Sequence, residues 1–534
     1  MARNYLIAIG GTGSRCLEAV VYLAAAGLFK EEIHVLIIDP DQSNGNSSKT
    51  RQIMTAYHAL HLAKQPNKPR RTRRIIGPID MPEPALFRAS INRQIGGNAQ
   101  QTVFWHNPNT SPERKFKTVI DFQAQEPELK DFLKLFYEDN DLEMTLDAGY
   151  RGRTNVGSVA LKQDLEATAD LKDSGLNEFL VNLDSDLKTA DAKIFVMGSV
   201  FGGTGAAGLP TIPSLIDRLP KTVIAENGRK KIRYGCAMMT PYFSFPQRSS
   251  EGQNAGPGTD SARHAVATQA ALIHYAHVPP GYQHVYSVGA PARPQTNTSN
   301  EVGGQRQLNS PHYAEIAAAL AAWDFFQKNQ IKPNAAELHF ADTIRTVNQE
   351  QQDLEVRWET LPVDPDQAVR REEVKRKLVV YATFTYFFKN FLYQGFVNRF
   401  EYKETTWYRN NFSELSLDNQ GTQLRHLYDF SNAYLQWLDQ IGKTGSQATS
   451  QLFNWNYLLI EERGLCEQYV ANLMGGMASN PKYIKDKDGY DRILEKMDAI
   501  RLTQAGTDSG TGLFVYLLHQ AVKDFCTENY FWRT

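Results

Sequence analysis

The chain is poor in cysteine. Its four, Cys16, Cys236, Cys466 and Cys526, are far apart and make no CxxC pair, which argues against a disulfide framework or a zinc ribbon and fits a reducing, cytoplasmic setting. Net charge is also nearly absent. With 58 basic and 59 acidic residues interspersed, the formal charge is −1, and nothing at whole-chain level indicates nucleic acid or an anionic membrane as partner. No long apolar run is present either. The most apolar later stretch, "KLVVYATFTYFFKNFLYQGF", is interrupted by Lys389 and rich in Tyr and Thr, so it reads as a buried helix and no membrane span is expected. "NYLIAIGG" at the N-terminus runs straight into glycines and does not resemble a secretory signal. His274 and His277 form HxxH without further ligands at metal spacing, so no metal site is expected. The basic stretch "NKPRRTRR" reads as a solvated surface loop.

What is present is a chain of 534 residues, 42% hydrophobic, long enough for two or three domains. "NYLIAI" and "IHVLII" read as short apolar strands, and between them "SRCLEAVVYLAAAGLF" places Leu17, Val20, Val21 and Ala24 on one helical face. This βαβ opening predicts an α/β fold with a parallel sheet covered by helices. From 43 to 145 the pattern loosens into polar, Pro-containing text that reads as an insertion or elaborated region. Alternation returns with "KIFVMG" and "IRYGCAMMT" as strands, "SARHAVATQAALIHYA" as a helix, "HVYSVGAP" as a strand and "SPHYAEIAAALAAWDFFQKN" as a long helix. Residues 1–330 form the expected α/β domain, 331–360 a loop and connector, and 361–534 a mainly helical C-terminal domain. The glycines of "GTDSGTG" at 506–512 follow a helix-like segment and read as a connector.

Two glycine loops stand out. "AIGGTGSRC" at 8–16 and "GSVFGGTGAAGLP" at 198–210 share the tetrapeptide GGTG, each after a strand and before a helix. That order presents backbone N–H groups and a helix N-terminus to a phosphate. Neither loop has the GK[ST] of a P-loop. Gly11, Gly13 and Cys16 give GxGxxC, with Asp39 closing the second strand where a ribose-binding acid of a Rossmann fold sits. The third fingerprint glycine is missing, and that fingerprint leaves the loop at 202 unexplained.

The pair of loops, with their order and surroundings, resembles the tubulin/FtsZ superfamily of GTP-binding proteins. "GSVFGGTGAAGLP" is similar to its phosphate signature, with Phe201 in place of the first glycine. "GGTGSR" resembles its first phosphate loop, "IIDPD" the segment after the second strand, and "GYRGRTNVGSVAL" the loop that meets the terminal phosphate. "MMTPYFSFPQRSSEG" resembles the ribose-side loop, "NSPHYAEIAAALAAWDF" the central helix against the base, and "NAAELHFADTI" the loop that carries hydrolytic acids. The resemblance covers about 4–40 and 146–345, and places the chain with divergent prokaryotic tubulin-like proteins. It implies a Rossmann-like parallel-sheet GTP-binding domain with a central helix, binding GTP or GDP with Mg2+. Gly10, Gly11, Thr12, Gly13 and Ser14, and Gly202, Gly203, Thr204 and Gly205, would hold the phosphates. Gly152, Arg153 and Asn155, with Arg151, would meet the terminal phosphate; Asp39, with Asp41, would order ribose or a magnesium-bound water; Tyr313 would stack on the base.

In that superfamily the acidic loop completes the site of a neighbouring subunit, so a head-to-tail homo-oligomer or filament is implied. Here Asp342 keeps the later acidic position, His339 stands at the earlier one and Glu337 replaces the usual Asn, a departure that predicts weak GTP hydrolysis. Three classes stay open: a tubulin-like protein that assembles or switches with GTP, a non-hydrolysing scaffold stapled by nucleotide whose helical C-terminal part meets protein partners, and a Rossmann dinucleotide enzyme.

Overall fold

The computed structural model describes residues 2–63, 86–91, 104–106, 114–169, 174–243, 261–277, 281–289, 304–332, 336–340, 344–348, 351–355, 368–393, 402–412, 421–445, 489–501 and 510–529. Seven parallel strands form one sheet in the order β3-β2-β1-β4-β5-β6-β7: β1 (Arg3–Ile9), β2 (Ile33–Ile38), β3 (Phe104–His106), β4 (Ala192–Ser199), β5 (Ile232–Met239), β6 (His284–Val288) and β7 (Glu337–Phe340). The parallel α/β expectation therefore holds. β1 and β2 are interior strands with both faces covered, and this is why their sequences are continuous apolar runs rather than alternating ones.

Alternation reappears in which layer each side chain enters. Leu6 and Ala8 of β1 point into one core and Tyr5, Ile7 and Ile9 into the other. The first layer holds α1 (Gly10–Ala25), α2 (Gly45–Ala63) and, later in the chain, a helix over Tyr313–Gln327. After the short helices α3 (Phe116–Val119), α4 (Pro127–Leu133) and α5 (Asp139–Leu142), the second layer is built from α6 (Thr154–Thr168), α7 (Gly175–Leu187) and α8 (Gly203–Arg218). The chain then runs through α9 (Glu226–Arg229) and α10 (Ser261–His277) to α11, the helix over Tyr313–Gln327. Every residue of α11 from Tyr313 to Phe326 is buried, as expected for a helix that is apolar on all sides.

Two elements of 43–145 belong to this fold. α2 packs along α1 through Ile53, Met54, Tyr57 and Leu60, and β3 extends the sheet beyond β2. The surrounding polar text hid them, because α2 is apolar on a single narrow face. An antiparallel hairpin of β8 (Ile344–Asn348) and β9 (Gln351–Glu355) was also not expected; Gln349 and Glu350 between them carry no turn signature. The described part of 361–534 is helical: α12 (Ala368–Phe387), which continues into a π-helical turn at Phe388–Leu392, and helices over Thr406–Phe412, Gly421–Gly445, Gly489–Ala499 and Gly510–Asn529. These pack onto the α1–α2 layer. Tyr22 of α1 meets Phe430, Tyr434 and Trp437, and Phe87 meets Tyr381, so the C-terminal helices share one core with the sheet. Cys16, Cys236 and Cys526 are buried free thiols; Cys466 lies outside the described residues. No helix among the described residues is long and apolar enough to cross a membrane.

Candidate functional site

From β1 the chain crosses to β2 on one side, while β4 lies on the other. In parallel sheets such a reversal opens a crevice beyond the carboxyl ends of the two strands. Both glycine loops fall there: α1 begins at Gly10 directly after β1, and α8 begins at Gly203 shortly after β4. The cleft between them encloses about 810 Å3 of space, open solvent at its mouth included.

The glycines are required by how closely the backbones approach. Gly10 has φ +66°, and a side chain on it would stand 3.3 Å from Thr204 Cβ. A Cβ on Gly205 would lie 2.6 Å from the backbone N and O of Ser199, and one on Gly203 would lie 3.0 Å from the N of Gly152. The third wall is the turn Gly149–Gly152, in which Gly149, Arg151 and Gly152 all have positive φ; Arg151 sits at its rim and pairs with Asp147 at 3.2 Å. This turn leads through Arg153 into α6.

Two helix N-termini, those of α1 and α8, thus border one cleft, and the turn Gly149–Gly152 leads from it to the start of α6. None has a side chain capping its N-terminus, and none has an acidic residue in its first turn. Such ends present N–H groups and a positive partial charge to an anion without a lysine. α2, which also starts at the cleft, differs: Asn44 Oδ1 accepts from the N–H groups of Asn46 and Ser47 at 3.0 and 3.2 Å. No protein-family model and no curated protein matches the chain.

The acids lining the cleft are Asp39 and Asp41. Asp41 is engaged, accepting from Ser43 N and Oγ at 3.1 and 3.0 Å and from Gly304 N at 2.7 Å. Asp39 accepts from the Ser47 hydroxyl and from Asp41 N at 3.1 Å. Burial holds its carboxyl near pH 7 instead of 3.8, against the Ser47 hydrogen bond, with Asp41 adding to the rise. The folded chain therefore keeps a proton that the unfolded chain releases near pH 4. The resulting stability is complete below about pH 4, is lost as pH rises towards 7 and changes no further above that. Asp39→Asn is expected to remove this slope in urea unfolding: equal to the parent near pH 4, more stable by up to about 4 kcal/mol at pH 8.

Several wall residues were not anticipated. Asn44 Nδ2 donates to Gln307 Oε1 at 2.6 Å, and Asn309 N donates to Asn46 Oδ1 at 3.1 Å, so the segment before α11 is tied to the start of α2 and closes one side. Phe201 and Phe243 supply an aromatic wall, ring centroids 5.5 Å apart. Beneath it, Arg15 of α1 is buried, ion-paired with Glu315 of α11 and stacked over Tyr242 and Phe243. Tyr242 Oη donates to Glu315 Oε1 at 3.0 Å, and Glu315 Oε2 accepts from His312 N. His312 Nδ1 caps α11 by accepting from Ala314 N, and burial pushes its pKa down to about 3.

Of the expected phosphate residues, Gly10, Gly11, Thr12, Gly152, Gly202, Gly203, Thr204 and Gly205 line the cleft, together with Asp39. Gly13 packs on the Met197 carbonyl, and Ser14 contacts Ser47 in the interior. Arg153 turns to Asp141 and Asn155 Nδ2 donates to the Phe136 carbonyl, so neither lines the cleft. Tyr313 is buried at the start of α11 against His312, its ring 4.1 Å away, also outside the lining; Phe243 takes the aromatic position at the cleft. Glu337 and His339 lie not in a loop but on edge strand β7, three strands away from β4, where His339 contacts His284 and Tyr286. The 2.0 periodicity of four residues was too short to read. Asp342 lies outside the described residues.

Proposed function

We propose that the chain is a tubulin/FtsZ-like GTP-binding protein. The observation that carries this reading is the meeting of two GGTG loops, from β1 and β4, at one switch point, each opening an uncapped helix N-terminus onto the cleft. Backbone N–H groups would take the phosphates, Thr12 and Thr204 would add hydroxyls, Arg151 at the rim would meet the terminal phosphate, and Asp39 would order ribose or a magnesium-bound water. A single dinucleotide fingerprint would use the first loop alone, whereas the second contributes as much of the wall. The guanine preference rests on the resemblance. A subunit contact joining the cleft of one copy to the β7 segment of another would be heterologous and would extend head to tail unless it closed into a ring.

A second reading, a nucleotide-stapled scaffold without turnover, is favoured by one observation: His339 is occupied by His284 and Tyr286 of its own sheet. Phosphate release from GTP and ATP across a protein concentration series, with light scattering in the same cuvette, separates the readings. GTP turnover appearing with scattering above a threshold is expected if subunits complete each other's sites. GTP binding with neither selects the scaffold. Absence of GTP binding, with NAD(P) or FAD bound instead, overturns the assignment.

A further inference from the structure

Away from the cleft, the amino ends of β6 and β7 bring three metal-binding side chains together. The register pairs His284 with Glu337 and Tyr286 with His339, so His284, Glu337 and His339 project from the same face of the sheet. His284 Nδ1 lies 2.9 Å from His339 Nε2 and 3.5 Å from Glu337 Oε2; His339 Nε2 lies 4.0 Å from that same oxygen. Donor atoms around a tetrahedral Zn2+ are about 3.4 Å apart, given bond lengths near 2.0–2.1 Å. The observed triangle brackets that separation.

We propose that His284, Glu337 and His339 form a binding site for a divalent cation of the Zn2+ class, with water as fourth ligand. Two imidazoles and one carboxylate are a donor set suited to Zn2+ rather than to Mg2+ or Ca2+, which take oxygen. Burial is graded across the triangle. The His284 side chain is 4% exposed, that of His339 28% and that of Glu337 53%, so the ion has an inner wall and an open side for entry and for water. Aromatic packing fixes both rings: His339 stacks on Tyr286 at 4.3 Å, Tyr286 Oη donates to Asp324 Oδ2, and His284 meets the edge of Phe325. Orientation of this kind is what metal ligands need from their surroundings. Close by, Asp324 and Lys328 pair at 3.1 Å and largely cancel each other's charge. The proton shared in the His284–His339 contact moves to the far nitrogen of its ring when the cation binds, so both imidazoles stay neutral and coordinate through the facing nitrogens. β7 has four residues, mostly exposed, and a cation bridging it to β6 fastens this edge strand to the sheet.

The test uses the full chain, freed of metal with a chelator and titrated with Co2+ in the absence of nucleotide. A visible ligand-field band of tetrahedral Co2+ is expected at one equivalent, abolished by Zn2+. His339→Gln and Glu337→Gln should each weaken binding by more than about tenfold, with unchanged circular dichroism, and Leu338→Ser should leave it intact. No band with the folded parent chain, or equal affinity in the His339→Gln/Glu337→Gln double variant, overturns the site. Neither result depends on whether the cleft binds GTP.

Discussion

Glu315→Gln is expected to cost about 3–5 kcal/mol, because it leaves the Arg15 charge buried without its counter-ion. Arg15 lies 5% exposed and Glu315 1% exposed in their side chains, so water cannot take over. The guanidinium has other neighbours, the rings of Tyr242 and Phe243 and the Ser310 carbonyl, and the acid Glu18, which also acts on it, is already paired with Lys49 at 2.9 Å. Arg15→Met in the same chain should recover most of the loss, since two neutral side chains of similar volume carry no uncompensated charge. Urea midpoints of the parent, both single variants and the double variant form the cycle that measures this. A double variant no more stable than Glu315→Gln would show that packing, not charge, dominates. Because Phe243 lines the cleft above Arg15, the single variants should also weaken nucleotide binding if the cleft has the function proposed above.

Gly13→Ala and Gly205→Ala carry the next largest expected loss of stability. A methyl on Gly13 would stand 2.6 Å from the Met197 carbonyl oxygen, and one on Gly205 equally close to Ser199 backbone atoms. In both cases the obstacle is main chain of β4 or the residue ending it, which cannot turn aside as a side chain would. Strain of about 1–3 kcal/mol or more is expected, read as a lower urea midpoint with unchanged m-value. Gly421→Ala serves as the control, because nothing lies within 4 Å of the added methyl. If all three variants unfold alike, the close approach of the loops is not what these glycines provide.

The central strands and both glycine loops were legible because each is a local signal: a continuous apolar run, then clustered glycine, then helical periodicity. The wall made by Asn44, Asn46, Gln307 and Asn309 was not, since its meaning lies in hydrogen bonds across more than 260 positions. Tyr313 illustrates the opposite failure. α11 is buried on every side, so no periodicity told which of its residues would face the cleft. Arg153 and Asn155 lie beside a residue that does line it, yet the helical start turns them towards Asp141 and Phe136. Of that stretch, Gly149, Tyr150, Arg151 and Gly152 line the cleft.

The cleft walls come from residues near 10, 40, 150, 203, 243 and 307. Contacts such as Gly10 with Thr204, Asn44 with Gln307 and Asn46 with Asn309 join segments far apart along the chain, so closing the cleft carries a loop-closure cost that the pairing of the sheet offsets. A bound ligand would then stabilise the sheet as a whole rather than one loop, by RT ln(1 + [L]/Kd). Occupancy of such a site is coupled to the survival of the entire α/β core, and through Tyr22 and Phe87 to the helices that share it.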